Sequence, residues 1–164
     1  MLAHLLPTQD PVREISIIPS GRALGYTLNP PVEDKYSEYK KQLIEEITML
    51  LGGRAAEEIV FGDVSGGASN DIMRATQVAR KMVTVYGMSD LGTIRFGGEH
   101  SSDEVFLGRD FNSSKDYSEE TAALIDEQIK KIVDGAYADA KRILSENRSK
   151  LDFIVEFLLK YEVM

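Results

Sequence analysis

Apolar positions along this 164-residue chain recur at two spacings, and the switch between them marks its elements. In residues 12–29, VREISIIPSGRALGYTLN, the spacing is two. Ile15 and Ile17 alternate in one stretch, and Leu24, Tyr26 and Leu28 in the next. Such alternation puts apolar side chains on one face of an extended strand. Pro19, Ser20 and Gly21 supply turn chemistry between the stretches, so a hairpin is predicted. Asn29-Pro30-Pro31 then breaks the second strand and an acidic loop follows.

From about residue 35 to residue 59 the spacing becomes three and four. Leu43, Ile47, Leu50, Leu51, Ala55 and Ile59 make one stripe of a long helix. Gly52-Gly53 lies inside it, where each glycine costs roughly 1 kcal/mol relative to alanine. That pair implies either close packing against another backbone or a place where a ligand approaches. A second helix starts near Ser69 and carries Ile72, Ala75, Ala79, Met82, Val83 and Tyr86, with Gly87 placed to end it. Short strand-like pieces follow at residues 93–96 and 105–107, separated by the polar loop GGEHSSDE. Ser118 is a good N-cap, and Glu119 and Glu120 suit the helix dipole. The stripe of Leu124, Ile125, Ile129, Ile132, Val133, Ala136, Ala140, Ile143 and Leu144 follows. SENRS interrupts it before a last amphipathic helix carrying Leu151, Ile154, Val155, Leu158 and Leu159. The predicted fold is mainly α, with small β-hairpin elements.

Length and composition keep this picture within one globular domain. No apolar run is long enough to span a bilayer, and MLAHLL is too short for a signal-peptide core. The absence of cysteine excludes a disulfide framework, a thiolate nucleophile and a cysteine zinc site. A formal charge of −8 argues against nucleic-acid binding, which needs a basic face.

Candidate chemistry is sparse. His4 and His100 are the only histidines and stand far apart in sequence. There is no H-E-x-x-H pair to hold a metal from one helix face, and no G-x-S-x-G elbow to present a serine. By position His4 is a packed or surface residue, and His100 a solvated loop residue. SGGAS could offer amides to an anion at a helix start, but Asp71 would repel that anion. The acids remain. Glu57 and Glu58 lie near the end of the first long helix, with Arg54 spaced to pair with either. Asp71 falls in the first turn of its helix, where a dipole-favourable acid and a metal ligand are both possible readings.

Several segments together resemble one family: DPVREISIIPSGRALGYTL, LLGGRAAEEIVFGDVSGGASNDIMRAT, ARKMVTVYGMSDLG, EVFLGRDF and YSEETAALIDEQI. In this order they are similar to the peptidase domain of FtsH-type, membrane-anchored, ATP-dependent zinc metalloproteases. The resemblance covers residues 5–161. It implies that Asp71 is the third ligand of a zinc ion whose other two ligands are the histidines of an H-E-A-G-H helix. It also implies that Glu57 or Glu58 stands beside the metal and orients a ligand histidine. Ile17, Ile18, Gly25 and Tyr26 would flank a cleft where protein substrates add as extended strands. The family further implies a ring of six subunits at the cytoplasmic face of a membrane. A separate ATPase module would use ATP to deliver unfolded and membrane proteins.

The H-E-A-G-H segment would lie just upstream of AHLLP. The expectation is therefore a single, N-terminally truncated metallopeptidase domain, without two histidine ligands and the catalytic glutamate. Such a chain should be inactive alone, of doubtful zinc occupancy, and should expose an apolar patch. Its ATPase module and membrane helices would lie outside this sequence. The alternative is a non-catalytic helical oligomerisation or interaction module using residues 118–164. An anion-binding protein built on SGGAS is a third reading.

Overall fold

The computed structural model describes residues 1–19, 21, 25–30, 37–97 and 117–164. Its described elements run α1 (Leu2–Leu5), β1 (Glu14–Ser16), β2 (Tyr26–Leu28), α2 (Lys40–Leu50), α3 (Gly52–Phe61), α4 (Ser69–Thr84), α5 (Glu119–Glu146) and α6 (Arg148–Tyr161). A 3-10 turn at Gly66–Ala68 leads into α4. The mainly α fold with a small antiparallel hairpin is as the sequence predicts.

α2, α4 and α5 pack around Ile47, Met82 and Ile125, which are fully buried or nearly so. Each such side chain contributes roughly 1.5–3 kcal/mol through loss of apolar surface from water. Ala75 and Ala79 of α4 face this core with Ala136 of α5, and small residues at these positions let the helix backbones approach closely. A second cluster joins α1, α3 and α5 through Leu2, Leu6, Ala55, Ala140 and Leu144. The buried carboxylate of Glu45 is satisfied by the Thr8 amide (2.9 Å) and hydroxyl (2.6 Å), which ties the segment after α1 to α2.

Three expectations change. The single helix over residues 35–59 is two helices, beginning at Lys40 and interrupted at Leu51 (ψ −4°). Gly52 is the first residue of α3, and a Cβ there would lie 2.6 Å from Leu2 Cδ1, so the close approach is made by a side chain of α1 and not by a backbone. Residues 93–96 form no strand; they fold back so that the Phe96 amide donates to the Thr84 carbonyl at the end of α4 (2.8 Å). Gly87, with φ +59° and Thr93 Cα 3.1 Å from where a Cβ would sit, makes this reversal possible. The strand expected at residues 105–107, the loop carrying His100, and Leu24 lie outside the described residues.

The hairpin pairs Glu14 with Leu28 and Ser16 with Tyr26. β1 is also flanked on its other side: Ile15 and Met164 exchange both backbone hydrogen bonds (2.9 Å each), and the Ile17 amide donates to the Glu162 carbonyl. β2 is thus an edge strand among the described residues. α6 buries only Leu158 and leaves Phe153, Val155, Leu159 and Tyr161 exposed.

Candidate functional site

The start of α4 is fixed by residues upstream of it. The Ser65 hydroxyl accepts from the Gly67 amide (3.1 Å) and opens the 3-10 turn that runs into α4. Ser65 is itself held on three sides. Its amide and hydroxyl donate to the two carboxylate oxygens of Glu57 (3.1 and 2.6 Å), and its carbonyl accepts from Arg54 (2.7 Å). α3 therefore sets the position of the turn that presents Asp71.

Asp71 is the third residue of α4, where the helix dipole favours a negative charge. Its side chain caps nothing: the N-cap position is Ala68, with no side-chain hydrogen bond. The carboxylate makes no hydrogen bond or ion pair with another described residue. It lines a cleft of about 420 Å³ together with Met1–Ala3, Gly52 and Gly53, and with Thr27 and Asn29 of the hairpin. The Asn29 amide leans on Met49 Sδ (3.9 Å), which anchors that side of the cleft to α2.

Glu57 and Glu58, adjacent in sequence, do different work. The Ser65 hydroxyl, and then its amide, hold the Glu57 carboxyl below the usual glutamate range. Glu58 points to α5, where it accepts from the Tyr137 hydroxyl and from Lys141 Nζ (3.2 Å). These bonds, Tyr137 first, depress the Glu58 carboxyl as well. Tyr137 responds in the opposite sense: burial, and then its bond to Glu58, push its hydroxyl up to about 12. Arg54, expected to pair with one of these acids, instead reaches the Ser65 carbonyl. Neither glutamate lines the Asp71 cleft.

The hairpin residues divide between two faces. Ile17, Ile18 and Tyr26 are exposed and lie outside the cleft. Gly25 is required by packing, since a Cβ there would sit 2.5 Å from the Ser16 carbonyl oxygen. The cleft takes Thr27 and Asn29, two apart on the opposite face of β2 from Tyr26 and Leu28. The period of two thus puts the apolar residues of β2 on its outer face and turns Thr27 and Asn29 to the cleft.

A zinc site needs three protein ligands or more. Among the described residues no group of three His, Cys, Asp or Glu side chains is placed to hold a metal. His4 is exposed and lines a different cavity from Asp71. Asp71 supplies a single oxygen donor site, so the described residues do not by themselves fit zinc.

Among known proteins, the pattern of Peptidase family M41 matches residues 1–164. The chain is 51% identical over 165 residues to "ATP-dependent zinc metalloprotease FtsH" of Myxococcus xanthus, covering 100% of this chain and 26% of that protein. The protein of the same name from Thermotoga maritima is 51% identical over 166 residues, covering 100% and 27%. That of Bacillus subtilis is 48% identical over 165 residues, covering 100% and 26%. The chain spans about a quarter of the length of these relatives. With a family match over its whole length and segments in the family's order, this chain belongs to Peptidase family M41.

Proposed function

We propose that residues 1–164 form one proteolytic domain of an ATP-dependent zinc metalloendopeptidase, and that Asp71 is one of its zinc ligands. The observation that carries this reading is a half-buried carboxylate with no partner among the described residues, at a helix start, facing a cleft. A carboxylate in that position is available to a cation. The imidazole ligands and the general base lie outside these 164 residues in this reading. Met1–Ala3 line the same cleft, so a segment joined to Met1 would enter beside Asp71.

Glu57 acts through Ser65, which sets the helix start that presents Asp71; Glu58 braces α3 against α5. Protein substrates would bind as extended chains along the free edge of β2, with Thr27 and Asn29 toward the cleft and Ile17, Ile18 and Tyr26 on the outer face. The ATP-using module, the membrane anchor and a cytoplasmic-face location belong to the longer protein. No helix among the described residues is long and apolar enough to cross a membrane.

Elemental analysis of the dialysed 164-residue chain tests the assignment. Near-zero zinc and no peptide hydrolysis are expected. One zinc per chain would overturn the claim that the other ligands lie elsewhere. In a longer polypeptide that carries the histidines, Asp71→Ala should lower zinc content and hydrolysis together; unchanged zinc would remove Asp71 from the site.

A second reading, helical assembly, is favoured by α6. Phe153, Phe157 and Tyr161 recur every four residues, with ring centroids 6.2 and 4.7 Å apart, and Phe153 and Tyr161 are exposed. This face would join subunits into a homo-oligomer. Sedimentation of the chain and of Phe153→Glu distinguishes this from a monomer.

A further inference from the structure

Arg54 and Glu58 of α3 stand one helical turn apart, the spacing at which a guanidinium and a carboxylate ordinarily pair on a helix surface. They do not pair. Arg54 Nη1 donates to the Ser65 carbonyl at 2.7 Å. Glu58 turns toward α5, where its Oε2 accepts from the Tyr137 hydroxyl and its Oε1 from Lys141 Nζ at 3.2 Å. The two stay close enough for the charge of Arg54 to act on Glu58. Each natural partner of the other is therefore held elsewhere.

A carboxylate is a stronger acceptor for a guanidinium than a peptide carbonyl is, because both partners are charged. Arg54 stays on Ser65 because α5 already occupies both oxygens of Glu58. Tyr137 is the firmer of the two holds. Its ring packs against both core clusters, whereas the Lys141 side chain is 38% exposed and its ion pair is weakened by solvent. Lys141 Nζ also lies over the Tyr137 ring, 4.9 Å from its centroid, so it leans on the same side chain. Ser65 in turn accepts from the Gly67 amide (3.1 Å) and opens the turn that leads to Asp71. Tyr137 is outside the Asp71 cleft, yet a continuous run of side-chain contacts joins it to that helix start.

We propose that Tyr137 is a positioning residue for Asp71: by occupying Glu58 it leaves Arg54 on the Ser65 carbonyl, and so fixes the turn from which α4 presents that carboxylate. The importance of Asp71 rests on the function proposed above; the relay from Tyr137 to the turn does not. Amide hydrogen exchange on the 164-residue chain tests the relay, read at Gly67 in the turn and at Met82 in the core of α4. Tyr137→Phe keeps the ring and frees Glu58 Oε2 for Arg54. Exchange at Gly67 should quicken about fivefold, the size of a lost helix cap, while Met82 is unchanged. Adding Glu58→Gln should return Gly67 most of the way to the wild-type rate, because a neutral amide draws Arg54 only weakly. An unchanged Gly67, equal quickening at Gly67 and Met82, or a double variant as fast as Tyr137→Phe alone would each overturn the proposal. The last two are what a tyrosine that only fills space would give. In a longer polypeptide that carries the histidines, Tyr137→Phe should lower kcat for peptide hydrolysis with KM kept, and Glu58→Gln should restore it. An unchanged kcat where Asp71→Ala abolishes hydrolysis would overturn the positioning role. Hydrolysis untouched by Asp71→Ala would instead remove Asp71 from the site and leave the exchange result standing.

Discussion

The carboxylate of Glu57 takes both the amide and the hydroxyl of Ser65, at 3.1 and 2.6 Å, across the loop that joins α3 to α4. With Arg54 on the Ser65 carbonyl, every hydrogen-bonding group of that serine is engaged. This makes Ser65, and not the glycines beside it, the residue that fixes where α4 begins. Ser65→Ala removes the cap on the Gly67 amide and one of the bonds to Glu57. The expected loss is about 1 kcal/mol, as for other caps. Urea denaturation measures it, and hydrogen exchange at Gly67 should quicken in parallel. Unchanged stability with unchanged exchange would mean that the loop is held by its backbone alone.

The same carboxylate predicts a pH dependence. Glu57 and Glu58 both have folded-state pKa values below the unfolded value of 4.5. A depressed carboxyl contributes stability that is present above its unfolded pKa and lost as pH falls through the folded one. The urea midpoint should therefore fall as pH drops below about 4.5, where the unfolded chain takes up protons first. The double variant Glu57→Gln, Glu58→Gln should flatten this acid limb, because neutral amides no longer link folding to protons at these sites. A limb of unchanged steepness would assign it to other acids, Asp90 with Lys131 among them.

Parts of this architecture were legible in the sequence for reasons that can be named. α4 buries Ala75, Ala79, Met82 and Val83, and that stripe has the helical period because one face meets one core. Ser118 caps α5 as its position implies, accepting from the Thr121 amide (3.2 Å). The break at Leu51 was hidden because the stripe continues through it; only Gly52-Gly53 hinted at it. The pairing of residues 162–164 with β1 left no trace, since its bonds are between backbones and three residues have no periodicity. Asp71 stands out only through the resemblance, because on spacing alone a dipole-favourable acid is the cheaper explanation. Nothing in the sequence pattern marks Tyr137, yet it closes the bond to Glu58 from 79 residues away.

That tyrosine gives a spectroscopic prediction. Tyr137 titrates at about 12 when folded, against 10 for an unperturbed tyrosine. A raised pKa contributes stability that is intact below the unfolded value and lost as pH climbs toward the folded one. Stability should thus decline between pH 10 and about 12. In an absorbance titration of the seven tyrosines, Tyr26 and Tyr86 ionise later than normal through their bonds to Glu14 and Glu38, and Tyr137 is delayed as well. Tyr137→Phe should delete the step near pH 12. Glu58→Gln should move that step down but leave it above 10, because burial is the larger cause and persists. A step that does not move would detach Tyr137 from Glu58.

Gly52 and Gly53 provide a paired test of why the chain is glycine-rich at the α2–α3 junction. Both are in α3, and alanine at either should gain up to about 1 kcal/mol of helix preference. At Gly53 a Cβ would meet nothing within 4 Å, so Gly53→Ala should keep that gain. At Gly52 it would meet Leu2 Cδ1 at 2.6 Å, and Leu2 is only 5% exposed within the α1–α3–α5 cluster. Displacing Leu2 offsets the preference, so Gly52→Ala should be less stable than Gly53→Ala and looser around α1. Urea midpoints of the two variants decide it, with Leu2→Ala in the Gly52→Ala background as the internal control. If contact with Leu2 is the cause, the two alanine variants should differ less once Leu2 is shortened. Equal midpoints in the two single variants would mean that Leu2 repacks freely. Gly53 also lines the Asp71 cleft, so a Gly53→Ala chain that gains stability yet loses peptidase function in a longer polypeptide would show that its bare backbone serves the cleft and not the helix.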